Sequence, residues 1–258
     1  FATVLLGLFA LACTYKTWKQ IGVWQDTVTL FTQAIDHFPK ANLPYINRAG
    51  ELRTRKQYEA ALRDYDMADK VEPNYMLGIK GRALCLFDMK RYGEALRDFE
   101  TLIKNGSQEA IIYGKHGACL TYLGRFEEAI PSYDKGIELD PQDGNIYNDR
   151  ASNFFNLKAY DKAIADYTKS IELKKEGNTM DMLRNRGATL LMMGRYEEAI
   201  RDFDACIAKG NEPAVIHYYR SAALLKLGKK EDALAAARLS VTRGHQLPGG
   251  YAKQVGLE

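Results

Sequence analysis

The side chains that most often carry out chemistry are scattered along this chain. Four cysteines lie at positions 13, 85, 119 and 206, and no two of them have the C-x-x-C spacing of a zinc or thioredoxin-like site. The four histidines form no H-x-x-x-H pair, and there is no Walker loop and no G-x-G-x-x-G turn. The sequence therefore predicts no catalytic site, no metal and no cofactor in this segment.

Composition narrows the function further. The chain has 258 residues, 46% of them hydrophobic, which excludes disorder as its main state. Its 36 Lys and Arg against 33 Asp and Glu leave a net charge of only +3. Nucleic-acid binding needs a concentrated basic face, so we expect no nucleic-acid partner.

A repeat of 34 residues organises most of the chain. The pattern aromatic-x-x-Ala recurs with aromatic residues at Tyr58, Tyr92, Phe126, Tyr160 and Tyr196, at spacings of 34, 34, 34 and 36 residues. Within each repeat the apolar residues have the spacing of two helices separated by a break. The pattern predicts six helix–turn–helix units at 42–75, 76–109, 110–143, 144–179, 180–213 and 214–247, then a C-terminal tail at 248–258.

Three positions of each unit are constrained in residue type. The eighth residue is small, the twentieth is alanine, and the twenty-fourth is Tyr or Phe in five of the six units. This pattern resembles the tetratricopeptide repeat (TPR) family over residues 42–247, and more loosely over 8–41. The resemblance implies an all-α, right-handed superhelical solenoid that is a binding scaffold and not an enzyme.

A polar pair recurs at the seventh and twenty-third positions. Four units have Arg and Asp there, and we expect each pair to join the two helices of its own unit. The cysteines at 85, 119 and 206 fall at packing positions, so we expect small core residues without disulfides. The four predicted pairs are Arg48/Asp64, Arg82/Asp98, Arg150/Asp166 and Arg186/Asp202.

The TPR resemblance also places a binding surface. In this family the first helices of the units line a concave groove, which binds a peptide or a partner's helix. The alternative is that several of these residues only pack against neighbouring first helices. Carried over position by position, the groove is expected to contain Ile46, Arg53, Lys80, Leu84, Phe87, Tyr122, Asn148, Phe155, Asn156, Arg184, Leu191, Met192, Tyr218, Leu225 and Lys226.

The apolar composition of the N-terminal residues predicts the end of a membrane segment. The chain begins with Phe1, which indicates a fragment or a processed chain, and residues 1–13 carry no charge. Thirteen residues rise about 20 Å as a helix, less than the ~30 Å of a bilayer core. We expect residues 1–21 to be the end of a transmembrane helix that continues into the first repeat helix, and 22–41 the second helix of that half repeat. Two alternatives remain open: an ordinary buried helix, and a signal peptide that ends at a lipid-modified Cys13.

Residues 14–42 carry a narrower resemblance. The pattern W-x-D-x-x-x-L-[FW]-x-x-A, here Trp24, Asp26, Leu30, Phe31 and Ala34, is similar to the membrane/TPR junction of multi-pass O-mannosyltransferase-like transmembrane-and-TPR proteins. This resemblance implies a membrane-anchored chain whose repeats lie outside the cytoplasm, in the periplasm or a lumen.

We therefore expect a membrane-tethered TPR scaffold that binds a protein or peptide in its groove. One alternative is the accessory domain of a multi-pass membrane glycosyltransferase, which would present acceptor proteins to it. Another is a periplasmic TPR lipoprotein in an envelope assembly, and self-association is a third possibility.

Overall fold

The regular structure of the chain is entirely helical where it is described. The computed structural model describes residues 26–174, 179–210 and 213–257, and these ranges contain fourteen α-helices and no strand. This confirms the predicted all-α class. The described residues divide into two compact units, the first ending at Ser107 and the second beginning at Gln108.

The first unit holds one single helix and two helix pairs. Asp26 caps its first helix, accepting a hydrogen bond from the backbone N–H of Thr29 at 3.0 Å. The helices of this unit are α1 (Thr27–His37), α2 (Asn42–Thr54), α3 (Tyr58–Val71), α4 (Met76–Asp88) and α5 (Tyr92–Lys104).

The second unit holds four helix pairs and a short final helix. Its helices are α6 (Ala110–Tyr122), α7 (Phe126–Leu139), α8 (Gly144–Asn156), α9 (Tyr160–Leu173), α10 (Met180–Met192), α11 (Tyr196–Ala208), α12 (Val215–Lys226), α13 (Lys230–Thr242) and α14 (Tyr251–Val255).

The predicted transmembrane helix at 1–21 lies outside the described residues. Within the described ranges, no helix has both the length and the apolar character that crossing a membrane requires.

Each helix pair turns in the same way. One residue in the turn between the two helices has a left-handed backbone, as in Gly124 (φ 78°), Gly194 (φ 77°) and Lys56 (φ 60°). The backbone N–H of the residue that follows it donates to the carbonyl five residues earlier, as from Arg125 to Leu120 at 2.9 Å. This is a Schellman motif, which ends the first helix and starts the return of the second.

Close approach of the two helices in a pair explains the small residues. The alanines at the twentieth position, from Ala61 to Ala233, are fully buried. A Cβ added to Gly187 would lie 2.7 Å from the Phe203 ring, and one added to Gly117 would lie 3.0 Å from the Tyr133 ring. The aromatic ring of the second helix therefore fills the space that the small residue of the first helix leaves.

The last pair obtains its aromatic residue from elsewhere. Ala237 stands at its twenty-fourth position, and both Ala237 and its neighbour Ser221 are fully buried. The Tyr251 hydroxyl of α14 lies 2.8 Å from Ser221 Oγ, and Tyr251 packs in the same core cluster as Ala237. The segment predicted as a tail at 248–258 therefore contributes a helix that completes the core of the last pair.

The predicted Arg–Asp pairs are confirmed. In the pair α8–α9, Arg150 Nε and Nη2 donate to the two carboxylate oxygens of Asp166 at 2.7 and 2.9 Å. The same two-bond contact joins Arg48 to Asp64, Arg82 to Asp98 and Arg186 to Asp202. In the pair α6–α7, where both residue types are missing, His116 Nδ1 lies 2.8 Å from Ser132 Oγ. A hydrogen bond between these two side chains thus takes the place of the ion pair.

The same arginines also reach the preceding helix. Arg150 Nη1 donates to Asp134 of α7 at 2.6 Å, and Arg186 Nη1 donates to Thr168 of α9 at 3.0 Å. Arg220, whose own pair has Ala236 at the twenty-third position, keeps the contact to the preceding helix and binds Asp204 of α11 at 2.6 Å. Arg150 and Arg186 therefore each connect their own helix pair to the pair before it.

The two carboxylates around Arg150 allow a matched test. Asp166 is buried and Asp134 is exposed, so Asp166→Asn leaves an arginine that is only partly compensated inside the protein. We expect Asp166→Asn to lower the free energy of unfolding by about 2–3 kcal/mol, below the ~3–5 kcal/mol of a fully buried pair. Asp134→Asn should cost no more than ~1 kcal/mol, as for surface pairs. Urea unfolding monitored by circular dichroism measures both, and equal losses would contradict this ranking.

Candidate functional site

The first unit has an apolar groove across its first helices. It encloses about 440 Å³ between α1, α2 and α4. Gly81 forms part of its floor, where an added Cβ would lie 2.4 Å from the Tyr65 ring. The lining includes Ile46, Lys80 and Leu84, three of the predicted groove residues, although Ile46 is itself buried in the core. The other lining residues are Thr27, Phe31, Asn47, Gly50, Glu51, Tyr65, Leu77 and Gly81.

The second unit has a more polar pocket, which we call the inner pocket. It encloses about 280 Å³ between the first helices α8, α10 and α12, with one residue from α9. Phe155 and Asn156 were predicted for the groove. The residues of the inner pocket are Ser152, Phe155, Asn156, Tyr167, Asn185, Ala188 and Tyr219.

Contacts among the residues of the inner pocket and with the side chains behind them hold the pocket in shape. The Tyr167 hydroxyl lies 3.0 Å from Ser152 Oγ, and burial raises the pKa of Tyr167, so this hydroxyl stays protonated at neutral pH. The Tyr219 ring stacks on Phe203 with centroids 5.9 Å apart, and Phe155 lies 5.7 Å from the Tyr160 ring. The pocket thus presents amide, hydroxyl and aromatic groups in fixed positions.

Two further acceptors lie on α8 next to the pocket, one turn before Ser152. Asn148 Nδ2 donates to Asp149 Oδ1 at the long distance of 3.4 Å. Asn148 Oδ1 is buried and has no hydrogen-bond partner in the described structure. Burial raises the pKa of Asp149, and the charge of Lys115 opposes this effect.

Several predicted groove residues have partners inside the protein. Arg53 lies 3.5 Å from Asp88, and Arg184 lies 2.8 Å from Asp181. The Phe87 ring packs against Tyr92 with centroids 5.4 Å apart. Lys226 is exposed. Tyr122 and Met192 are 62% exposed, so they are accessible to a partner without lining either cavity.

Tyr218 was predicted to face the groove, and the structure places it differently. Its ring centroid lies 5.1 Å from that of Tyr251 and 5.4 Å from that of His245, and it packs with the C-terminal core cluster. The neighbouring Tyr219 lines the inner pocket instead. The prediction missed this because the covering residues belong to α14 and the loop before it, far along the chain.

The residues at the sixth position of a unit also line the cavities, and the sequence analysis did not predict them as groove residues. Asn47 and Gly81 line the groove of the first unit, and Asn185 and Tyr219 line the inner pocket. Helical spacing contained the signal: Gly81 lies three residues before the predicted groove residue Leu84 and therefore on the same helix face.

The described cysteines are unsuited to chemistry. Cys85, Cys119 and Cys206 are free and buried, and Cys206 Sγ donates to the Met180 carbonyl at 3.5 Å. Burial raises their thiol pKa values to about 11, 12 and 11 respectively. Among the described residues no group of three or more His, Cys, Asp or Glu could hold a metal ion.

Thiol alkylation tests this assignment. A thiol reacts as its thiolate, and at about pH 8 these three thiols are almost entirely protonated as well as buried. We expect iodoacetamide to leave Cys85, Cys119 and Cys206 unmodified in the native protein and to modify all three in guanidinium, as read by peptide mass spectrometry. Fast native labelling of any of them would contradict the burial described above.

The architecture defines the class of protein: stacked helix pairs with a lined inner surface make a helical-repeat binding scaffold. Family models described as tetratricopeptide repeat match residues 110–143, 144–176 and 185–248, which together are about half of the chain. The chain belongs to the tetratricopeptide repeat family. Proteins of this family are typically non-enzymatic scaffolds, and no catalytic family is found.

Solved structures show the same fold. YrrB, described as "a TPR protein with an unusual peptide-binding site", is 22% identical with a TM-score of 0.56, and the match covers 81% of this chain and 97% of YrrB. PilF of Pseudomonas aeruginosa is 17% identical (TM-score 0.68, 85% and 97% covered). A tetratricopeptide repeat protein of Parabacteroides merdae is 16% identical (TM-score 0.65, 95% and 95% covered). No curated protein matches the chain.

The narrower resemblance of residues 14–42 finds no support in these comparisons. The family matches begin at residue 110, and residues 14–25 lie outside the described structure.

Proposed function

We propose that this chain is a TPR scaffold that binds an extended peptide segment of a partner protein, with the inner pocket of the second unit as the main contact. The observation that carries the proposal is the pocket itself. It opens to solvent on the first helices of three successive pairs, and its side chains are held by contacts within the protein. Preorganised groups reduce the ordering cost of binding.

The chemistry of the pocket suits a peptide. Asn156, Asn185 and Ser152 present groups that can both donate and accept hydrogen bonds, as the N–H and C=O groups of an extended backbone require. Phe155 and Tyr219 provide flat apolar surface for a side chain between them. A pocket of about 280 Å³ accommodates a few side chains and not a folded domain.

The relatives support the same class of ligand. YrrB is described as having a peptide-binding site, and it shares the repeat fold with this chain at low identity. Protein or peptide binding is therefore the function that agrees with both the family and the local geometry.

Filling the pocket tests the proposal. Ala188 lines the inner pocket, whereas Ala165 is exposed on the second helix α9. The probe is a mixture of end-blocked peptides of about nine residues, which extend over about 30 Å. We expect Ala188→Phe to weaken binding at least about tenfold, or 1.4 kcal/mol, because the new ring occupies the pocket. Fluorescence anisotropy measures the affinity.

Ala165→Phe is the matched control, since it adds the same ring outside the pocket. It should bind as the unchanged protein does. Unchanged binding by Ala188→Phe, with both variants folded by circular dichroism, would reject the inner pocket as the peptide site.

We also propose that the scaffold is tethered to a membrane and that its repeats lie outside the cytoplasm. The tether rests on the uncharged segment 1–13 and on the interface-type aromatic and basic residues that follow it, Tyr15, Lys16, Trp18, Lys19 and Trp24. The placement outside the cytoplasm rests on the resemblance of residues 14–42 alone, and the positive-inside rule applied to Lys16 and Lys19 opposes it. This proposal is independent of the peptide site.

The intact mass of the native protein from its source distinguishes the forms of tethering. We expect the protein in the membrane fraction. A mass far above 29.1 kDa would favour an upstream membrane portion, as in a glycosyltransferase. A chain that begins at a lipid-modified Cys13 would favour the lipoprotein. Recovery of the native protein without detergent, in the soluble fraction, would contradict the tether.

A further inference from the structure

Asp149 differs from the other inward-facing aspartates of this protein. Asp64, Asp98, Asp166 and Asp202 are buried, and each accepts two hydrogen bonds from an arginine. Asp149 is partly buried at the sixth position of α8, and within the described residues it forms no ion pair. Among the residues that the structure describes, its carboxylate accepts a hydrogen bond from Asn148 Nδ2 at the long distance of 3.4 Å and none from an arginine.

The side-chain amide of the neighbouring Asn148 is also incompletely hydrogen-bonded. Asn148 Oδ1 is shielded from water and is the buried side-chain oxygen or nitrogen for which the described structure offers no hydrogen-bond partner. Buried polar groups are nearly always satisfied, and an unsatisfied one costs about 1–3 kcal/mol. On one turn of α8, next to the inner pocket, the described structure thus leaves Asn148 Oδ1 without a donor and Asp149 with one long hydrogen bond.

The surroundings of Asp149 are aromatic and of mixed charge. Burial and, after it, the Asp149 charge raise the pKa values of Tyr122 and Tyr133. The Asp149 charge also acts on Tyr167, which lines the inner pocket. The titratable groups that act on Asp149 or respond to it are Lys115 of α6, Tyr122 at the end of α6, Tyr133 of α7, Tyr167 of α9, Asp143 before α8 and Lys174 after α9.

A purely structural role does not explain this arrangement. A carboxylate withdrawn from water without a directly paired cation destabilises the fold, and the Lys115 charge only partly offsets the effect of burial on Asp149. This chain pairs its other buried aspartates with arginine. Groups that lower stability in the free protein are concentrated at binding and active sites. A ligand that brings the missing donors would restore the balance.

We propose that Asn148 and Asp149 form an anchor for a lysine or arginine side chain of the peptide bound in the inner pocket. Both protein groups offer acceptors, and a cationic side chain is a donor without acceptors. The nearby tyrosine rings suit a cation as well, because their faces attract positive charge. The inference rests on the proposed function and adds the chemical class of one peptide side chain.

The raised pKa of Asp149 gives the proposal a pH signature. In the free protein, the carboxyl holds its proton to a higher pH than an ordinary aspartate, and a bound cation favours the ionised form. Affinity for cationic peptides should therefore rise as pH increases from about 4 through the raised pKa of Asp149. Lysine and arginine stay protonated over this range, so the change belongs to the protein.

The experiment uses four sets of end-blocked peptides that differ only in the central residue: lysine, arginine, glutamate or norleucine. We expect lysine and arginine sets to bind at least about tenfold more tightly than the norleucine set, and the glutamate set to bind most weakly. In Asp149→Asn the preference should disappear, together with its pH dependence. Titration calorimetry at several pH values measures both.

Stability separates an anchor from a structural residue. Asp149→Asn should keep or raise the Tm near neutral pH because it removes a carboxylate whose burial outweighs the nearby Lys115 and Lys174 charges, whereas the matched control Asp166→Asn on the same helix pair should lower it. A fall in Tm for Asp149→Asn as large as for Asp166→Asn would overturn the proposal.

The peptide sets also separate the two proposals. Binding of the norleucine set without any preference for lysine or arginine would overturn the anchor and leave peptide binding in place. Absence of binding by all four sets would overturn the proposed function and the anchor with it.

Discussion

A single helix pair of this protein cannot bury its apolar face, so within each compact unit the helix pairs depend on their neighbours. The arginine at the seventh position joins neighbouring pairs by directional hydrogen bonds to carboxylates. Arg150 binds Asp166 in its own pair and Asp134 in the pair before it. Hydrophobic burial supplies most of the free energy, but burial is not directional. The arginine fixes which turn of one helix lies against which turn of the next.

The helix pairs that lack the arginine, the aspartate or the aromatic residue show how other residues replace these contacts. His116 and Ser132 form a hydrogen bond in the place of the ion pair, so the link within that pair survives the loss of both the arginine and the aspartate. Arg220 has lost its own aspartate but still binds Asp204 of the preceding pair. In that last pair, Tyr251 fills the space of the missing aromatic residue. The end of the repeat array is therefore closed by a helix that does not follow the repeat.

Within the described residues, the buried aspartates of the second helices have arginine partners, whereas Asp149 on a first helix does not. On the second helices, the buried carboxylates Asp64, Asp98, Asp166 and Asp202 are compensated by arginine. On the first helix α8, Asp149 is not. The first helices also line the groove of the first unit and the inner pocket. The second helices thus carry charges that stabilise the stack, and the first helices carry groups left available to a ligand.

Much of this protein could be predicted from its sequence, because a 34-residue repeat presents the same packing problem several times. Spacing alone predicted the helix pairs, the arginine–aspartate links and the core cysteines, since each depends on residues within one repeat. Phe155 and Asn156 were placed in the groove by the family resemblance. Only the tertiary structure separated Tyr218, covered by α14, from Tyr219 in the inner pocket. It alone showed that, among the described residues, Asp149 is withdrawn from water without an arginine partner, because burial by distant parts of the chain cannot be read from local periodicity.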